Sequence, residues 1–209
     1  MLVDLAGTEA LAHLPNSGRL GELLVAGAPV WLVPQPSAFR RTAWDLVLVD
    51  AAGQLVSVDS RMANLLVAAG LADGAFEELR DYPTWRREVR VGESRLDFLL
   101  SGESGACFVE AKNVTLVQNG RALFPDAPTL RGARHLRELT RCVVDGDRAA
   151  VLFIVQRADA ESFSPNAPAD PPFASALEEA ARAGVLVQAY RCGVTLQGMT
   201  LGRQIPVRL

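Results

Sequence analysis

Lysine is almost missing from this sequence: of the 21 basic residues among 209, 20 are arginine and only Lys112 is lysine. Histidine is nearly as scarce, with His13 and His135 alone. The three cysteines, Cys107, Cys142 and Cys192, are too far apart for a C-x-x-C metal knuckle and odd in number, so neither a zinc ribbon nor a disulfide framework is expected. A reducing cytoplasm fits that usage. The longest apolar run, residues 23–34, is interrupted by a glycine and two prolines and is too short for a membrane span. No basic, apolar and small-residue leader opens the chain, so no secretory signal is expected. Aromatic residues make up 6%, and none forms a platform beside paired carboxylates such as a carbohydrate site would use.

What is present is a globular composition. Apolar residues are 49% and charged residues 22%, enough for a substantial core in one large domain or two small ones. A net charge of -3 argues against a surface that embraces nucleic acid everywhere, because affinity for phosphate follows local positive potential. The charge is unevenly spread. Residues 1–60 carry only Arg19, Arg40 and Arg41 against six carboxylates, whereas arginine gathers at Arg80, Arg86, Arg87, Arg90 and Arg95 and again at Arg131, Arg134, Arg137, Arg141 and Arg148.

Between those clusters lie two segments with strand character, 94–100 and 107–112, joined by the small, glycine-rich stretch 101–106 that a hairpin loop needs. Side chains alternate across a strand, so Cys107, Val109 and Ala111 form an apolar face while Glu110 and Lys112 share the other. If register sets Asp97 beside Glu110, two carboxylates and an ammonium meet at one end of a sheet. Such a pair of anions is stable around a divalent cation, and oxygen ligands suit Mg or Mn. The sole lysine falls at this spot, where a compact ammonium able to lose its proton differs in kind from a guanidinium. The alternative for Asp97, Glu110 and Lys112 is a charged cross-strand ladder on an exposed sheet face.

The pattern of Asp97 followed by Glu110-Ala111-Lys112 resembles the core of the PD-(D/E)xK nuclease superfamily. Its surroundings are similar to the sugar fermentation stimulation protein A family: His13 to Leu20, Arg95 to Phe98, Val109 to Leu116, Phe124 to Thr129, Arg131 to Leu139, and Phe163 to Pro165 occur in that family's order. Leu96 stands where the superfamily name has proline. The resemblance implies an α/β protein with a small N-terminal OB-like β-barrel region and a C-terminal PD-(D/E)xK nuclease-like domain, a mixed central sheet flanked by helices. It also implies association with DNA. The chain begins abruptly at Met1, which implies a shortened barrel.

In chain order, strands are expected over 2–5 and 9–14, and over 29–33. Pro34-Gln35-Pro36 reads as a linker, dividing residues 1–36 from 37–209. Asn16 to Arg19 is a loop able to approach a phosphate, or alternatively the capped start of a helix over 20–24. Strands 47–49 and 55–58 form a hairpin, and a helix capped by Asp59 or Ser60 follows over 61–71. The related nucleases often carry another acidic residue on that helix. None occurs here, so a third carboxylate would come from Glu77, Glu78 or Glu88, with Glu88, ahead of Asp97, the best placed. A helix from Thr129 to about Val144 would bury Leu130, Leu136, Leu139 and Val143 and align Arg131 with His135. Residues 149–155 read as a central buried strand, 158–172 as a long surface loop, 173–182 as a helix, 185–190 as a buried strand, and 193–201 and 204–209 as an antiparallel ending.

These features predict a Mg- or Mn-dependent DNA phosphodiesterase. Asp97, Glu110 and the Ala111 carbonyl would hold the metal, with Lys112 positioning water. Asn16, Arg19, Arg95, Arg131 and His135 would contact DNA without reading its sequence. The alternative is a non-catalytic DNA-binding regulatory protein acting on sugar-metabolism gene expression; a weaker third is an enzyme of other phosphate esters. No membrane partner is expected, and a homodimer is left open.

Overall fold

A computed structural model describes residues 1–35 and 39–209. Strands β1 (Leu2–Leu5) and β2 (Thr8–His13) form a hairpin, and β2 runs parallel to the start of β4 (Trp44–Ala51). Antiparallel β3 (Val30–Pro34) lies on the other side of β4, and β5 (Gln54–Ser57) returns along β4 through a turn in which Ala52 and Gly53 both take positive φ. That turn is why a two-residue connection suffices. Leu20, Leu23, Leu46, Val49, Val56 and Val58 fill the space this curled sheet encloses.

The division expected at residue 36 is corrected by this pairing. Strand β4 hydrogen-bonds β2, β3 and β5, so the N-terminal unit runs on through Ser57. The linker reading at Pro34-Gln35-Pro36 fails at Pro34, which is the last residue of β3; Pro36 lies outside the described residues. The alternative of a helix over 20–24 is also corrected: Leu20 has a φ of 49°, and Leu23 and Leu24 bond back to its carbonyl in one turn that is not continued.

The larger unit opens with α1 (Arg61–Ala72), whose first N–H is capped by the Asp59 side chain at 3.0 Å. A 3-10 turn at Glu77–Leu79 leads to β6 (Thr84–Val91), β7 (Ser94–Gly102) and β8 (Gly105–Val114), an antiparallel meander. Short strands β9 (Val117–Gln118) and β10 (Arg121–Phe124) precede α2 (Leu130–Val144), which is capped by Thr129. Then come β11 (Arg148–Val155), β12 (Ser162–Pro165), α3 (Pro171–Ala183), β13 (Leu186–Thr195) and β14 (Gly198–Ile205). The main sheet has the order β14-β13-β11-β8-β7-β6, with β11 parallel to both β8 and β13.

Strand β11 explains its own composition. Ala149, Val151, Phe153 and Val155 face the layer of α2 and α3, while Ala150, Leu152 and Ile154 face α1, so both sides must be apolar. Two expectations for this unit are corrected. Leu130 is 87% exposed, because the first residue of α2 projects beyond the core. Residues 158–172 are not one surface loop: β12 pairs parallel with β10 and buries Phe163, which stacks on Phe153 with ring centroids 4.0 Å apart. Among the described residues no helix is long and apolar enough to cross a membrane.

Gln156, fully buried at the end of β11, joins the two units. Its amide nitrogen donates to the carbonyls of Ser57 at 3.2 Å and Asp59 at 3.1 Å and to the Asn113 side chain, and its main-chain carbonyl accepts from Ser57 at 3.0 Å. Buried Asp45 adds a second tie, pairing with Arg40 of its own unit and with Arg61 of α1 at 3.0 Å. Burial opposes the Asp45 charge, but the two guanidiniums hold its carboxyl below the usual range. Replacing Gln156 by Ala orphans buried carbonyls at the junction, so a loss of about 1–3 kcal/mol is expected. Urea denaturation followed by tryptophan fluorescence measures it as a lower midpoint.

Candidate functional site

Strands β7 and β8 part company at the edge of a cleft. Their register ends with Phe98 opposite Val109, and beyond that pair the Ala111 N–H is taken by the side chain of Asp97, Oδ2, at 2.9 Å. A residue's N–H and C=O point to the same side of a strand, so the Ala111 carbonyl lies on that open edge as well. Asp97 Oδ1 accepts from Asn64 Nδ2 of α1 at 2.8 Å, and the Asn64 carbonyl accepts from Arg87 at 3.2 Å. The free end of β8 is therefore closed by side chains instead of a neighbouring strand.

Glu110 points to the other layer, toward α2. Its Oε1 accepts from Lys112 Nζ at 2.6 Å and bonds His135 Nδ1, while its Oε2 is buried and has no hydrogen-bond partner. His135 Nε2 accepts from Arg131 Nε at 3.3 Å. Asp97, Glu110, Ala111, Lys112, Asn64 and Arg131 all line one half-open cleft of about 450 Å³. The opposite wall comes from Asn16 to Gly18 of the N-terminal unit and from the loop through Asp126. The two parts of that wall are pinned together by Asp126, which accepts from the Leu20 N–H at 2.9 Å. A Cβ at Gly18 would sit 2.9 Å from Asp126 Oδ2, so a side chain there would displace the carboxylate that holds Leu20.

The two carboxyls titrate in opposite directions. Burial and then the negative charge of Glu110 push Asp97 up to about 6, against the donors from Ala111 and Asn64. For Glu110, burial alone would raise the value, but the Lys112 ammonium and the His135 bond outweigh it and keep the group ionised. The two neighbouring acids thus coexist because one holds its proton up to about pH 6 while the other is paired.

The structure brings Asp97, Glu110, Ala111 and Lys112 to one place, with Lys112 only 11% exposed in its side chain. Glu88 and His135 are corrected as site residues, while Arg19 and Arg95 lie on exposed surface outside the cleft. Glu88, the candidate third carboxylate, has a φ of 55° in β6 and an exposed side chain paired with Arg95 at 3.5 Å, and neither residue lines the cleft. Arg19 is exposed but does not line the cleft either. His135 is 1% exposed and committed to Glu110 and Arg131, so it is sealed from any phosphate. Asn16 lines the cleft, yet its amide is spent locally: Nδ2 donates to the Val58 carbonyl at 2.9 Å and Oδ1 accepts from the Gly18 N–H. Asn64 and Asp126 went unforeseen. For Asn64 there was a signal, since asparagine is a poor residue one turn into a helix unless its amide has a task.

The donor set fits a hard divalent cation. An ionised, buried oxygen without a donor is costly unless something positive completes it, and Glu110 Oε2 is such an oxygen, with the Asp97 carboxyl in the same cleft. Among the described residues no group of three His, Cys, Asp or Glu side chains converges, so main-chain oxygen and water would complete the shell.

Comparison with known proteins follows the same division of the chain. Residues 1–58 match the SfsA N-terminal OB domain, and residues 61–198 match the Sugar fermentation stimulation protein RE domain. A protein of Moorella thermoacetica named Sugar fermentation stimulation protein homolog is 49% identical over 205 residues, covering 97% of this chain and 88% of its own length. One of Desulforamulus reducens with the same name is 47% identical over 208 residues, covering 100% of this chain and 87% of its own. The solved structure of Pyrococcus furiosus SfsA in complex with Ca2+ superimposes with a TM-score of 0.92 at 31% identity, over 100% of this chain and 90% of that one.

The raised Asp97 value has a thermodynamic consequence. Unfolded, the group titrates near 3.8; folded, near 6, so the folded state holds the proton more tightly. Its contribution to stability is fully present below pH 3.8 and is lost as pH rises through about 6. Asp97→Asn removes that loss. In chelator, its stability relative to the unsubstituted protein is expected to improve between about pH 4 and 6.5 by on the order of 2 kcal/mol and to stay level above, as urea titrations at each pH would measure.

Proposed function

The chain belongs to the sugar fermentation stimulation protein family, and from that premise we propose that it is a divalent-metal-dependent DNA phosphodiesterase built on a nuclease-like core. The observation that carries this reading is Glu110 Oε2, a buried carboxylate oxygen without a partner in a cleft it shares with Asp97 and Lys112. The Pyrococcus furiosus relative was solved as a complex with Ca2+, which adds support for divalent binding here. Asp97 and Glu110 are the proposed ligands, with the Ala111 carbonyl beside them, and Mg or Mn the proposed working ion. When bound, such an ion supplies acidification of a coordinated water and charge compensation at a phosphate.

The chain's own groups have separate tasks in this proposal. Lys112 Nζ uses one hydrogen on Glu110 Oε1 and keeps others for an attacking water or a phosphate oxygen. Arg131 Nε is engaged by His135, leaving its two terminal nitrogens for a phosphate in the cleft. The exposed arginines Arg134, Arg137 and Arg141 continue along α2 and would grip the DNA backbone without reading bases.

A second reading, a DNA-binding regulatory protein without turnover, is favoured by one observation. The α1 residue against Asp97 is the neutral Asn64, so among the described residues no third carboxylate converges with Asp97 and Glu110. Plasmid nicking separates the two. The enzymatic reading expects nicking with Mg2+ or Mn2+ and a loss of about 10²–10⁴-fold in Lys112→Ala, with the fold retained by circular dichroism but a lower melting temperature, because buried Glu110 loses its paired charge. No cleavage under any divalent ion, with binding that still weakens with salt, selects the regulatory reading. Since a ligating Asp97 must shed its proton, Mn2+ affinity measured by calorimetry is expected to climb as pH rises toward 6 and to level off above it.

A further inference from the structure

His135 has no route to a substrate, yet both of its ring nitrogens are occupied. It sits on the core side of α2 between buried Ala133 and Leu136, with Leu139 a turn further on, so its main chain is fixed by packing. Its Nε2 accepts from Arg131 Nε. A guanidinium is a donor only and is not deprotonated in a protein, so Nε2 is the acceptor nitrogen and the ring hydrogen belongs to Nδ1. That Nδ1–H meets Glu110 Oε1, the same oxygen that takes Lys112 Nζ, while Lys112 Nζ and His135 Nδ1 stand 3.5 Å apart as two donors on one acceptor.

A glutamate carboxylate has two equivalent oxygens and a soft terminal torsion, and lysine is a long, flexible donor. Left to themselves, Glu110 and Lys112 have no reason to keep one oxygen saturated and the other bare. Something rigid must break the equivalence, and the imidazole is the rigid member of the group. We propose that His135 is a positioning residue, set in its Nδ1–H tautomer by Arg131, that pins Glu110 Oε1 and so keeps Oε2 open for a divalent cation. The proposal rests on the metal-binding reading above and adds to it the residue that orients the ligand. It also gives Arg131 a double connection, since one edge of its guanidinium faces the cleft and the other fixes the tautomer.

The test needs no turnover. Mn2+ or Ca2+ is titrated calorimetrically into the full chain and into His135→Leu, His135→Asn and His135→Gln. Outer-shell partners of this kind are worth about 10–100-fold in affinity, so His135→Leu is expected to bind the ion that much more weakly. His135→Asn, whose amide nitrogen stands where Nδ1 stood, is expected to recover most of the loss, and His135→Gln less. Metal-free DNA binding should keep the same salt slope in all of them, a readout that general damage to the fold would move. Where His135→Leu does not fold, the order of Asn over Gln carries the test. Equal affinities in folded variants and unsubstituted protein overturn the proposal and leave the metal reading standing; no ion binding by the unsubstituted protein overturns both.

Discussion

A single buried carboxylate sets the constraint to which the surrounding elements conform. Glu110 lies on the strand at the centre of the larger unit, where an isolated charge would be intolerable, and three elements answer it: β8 itself through Lys112, α2 through His135, and the cleft through the space left at Oε2. Arginine would have been a poor substitute for Lys112 here. A planar fork prefers to span both carboxylate oxygens, whereas an ammonium satisfies one and leaves the other. A chain that uses arginine at every other basic position has lysine at the position where a point charge and a fork would give different sites.

The departure of β7 from β8 is the second half of the arrangement. Had the ladder continued past Phe98 and Val109, the Ala111 main chain would be consumed by a neighbouring strand and no opening would exist. Instead Asp97 caps the Ala111 N–H with its side chain, and Asn64 caps Asp97, so the end of a sheet becomes the floor of a cleft. The N-terminal unit then supplies the facing wall. Gln156, Asp45 and Asp126 each reach across the junction, which makes the spacing of that wall a property of buried polar bonds. The small unit is thus part of the site's architecture and more than an appendage to it.

How much of this was legible in the sequence depended on how local the deciding contact was. The alternation around Glu110 and the hairpin through residues 101–106 located the convergence of Asp97, Glu110 and Lys112, because strand register is a short-range matter. The buried run of β11 was legible for the same reason. What failed was long-range. Strand β4 meets β2 with Ala12 opposite Trp44, and without that pairing β4 and β5 read as belonging to the larger unit and the prolines near 36 as a boundary. Phe163 was hidden inside a stretch of proline, serine and aspartate whose composition reads as loop, while its burial depends on β10, far earlier in the chain. Glu88 pointed at the site in sequence, but a positive φ turns it to solvent beside Arg95.

The electrostatics of the cleft follow from the same geometry. The carboxyls of Asp97, Glu110 and Asp126 are balanced along the cleft by Lys112 and Arg131 once Asp97 holds a proton, which is why the site can exist without a cation at all. Deprotonation of Asp97 makes the cleft more negative beside an oxygen that already lacks a donor, and that is the condition under which a divalent ion becomes the most stable occupant. Asn64 moderates the tendency. A third carboxylate at its position would raise the cost of the ion-free cleft, whereas an amide donating to Asp97 lets the protein keep a preformed site with two acidic ligands and a neutral neighbour.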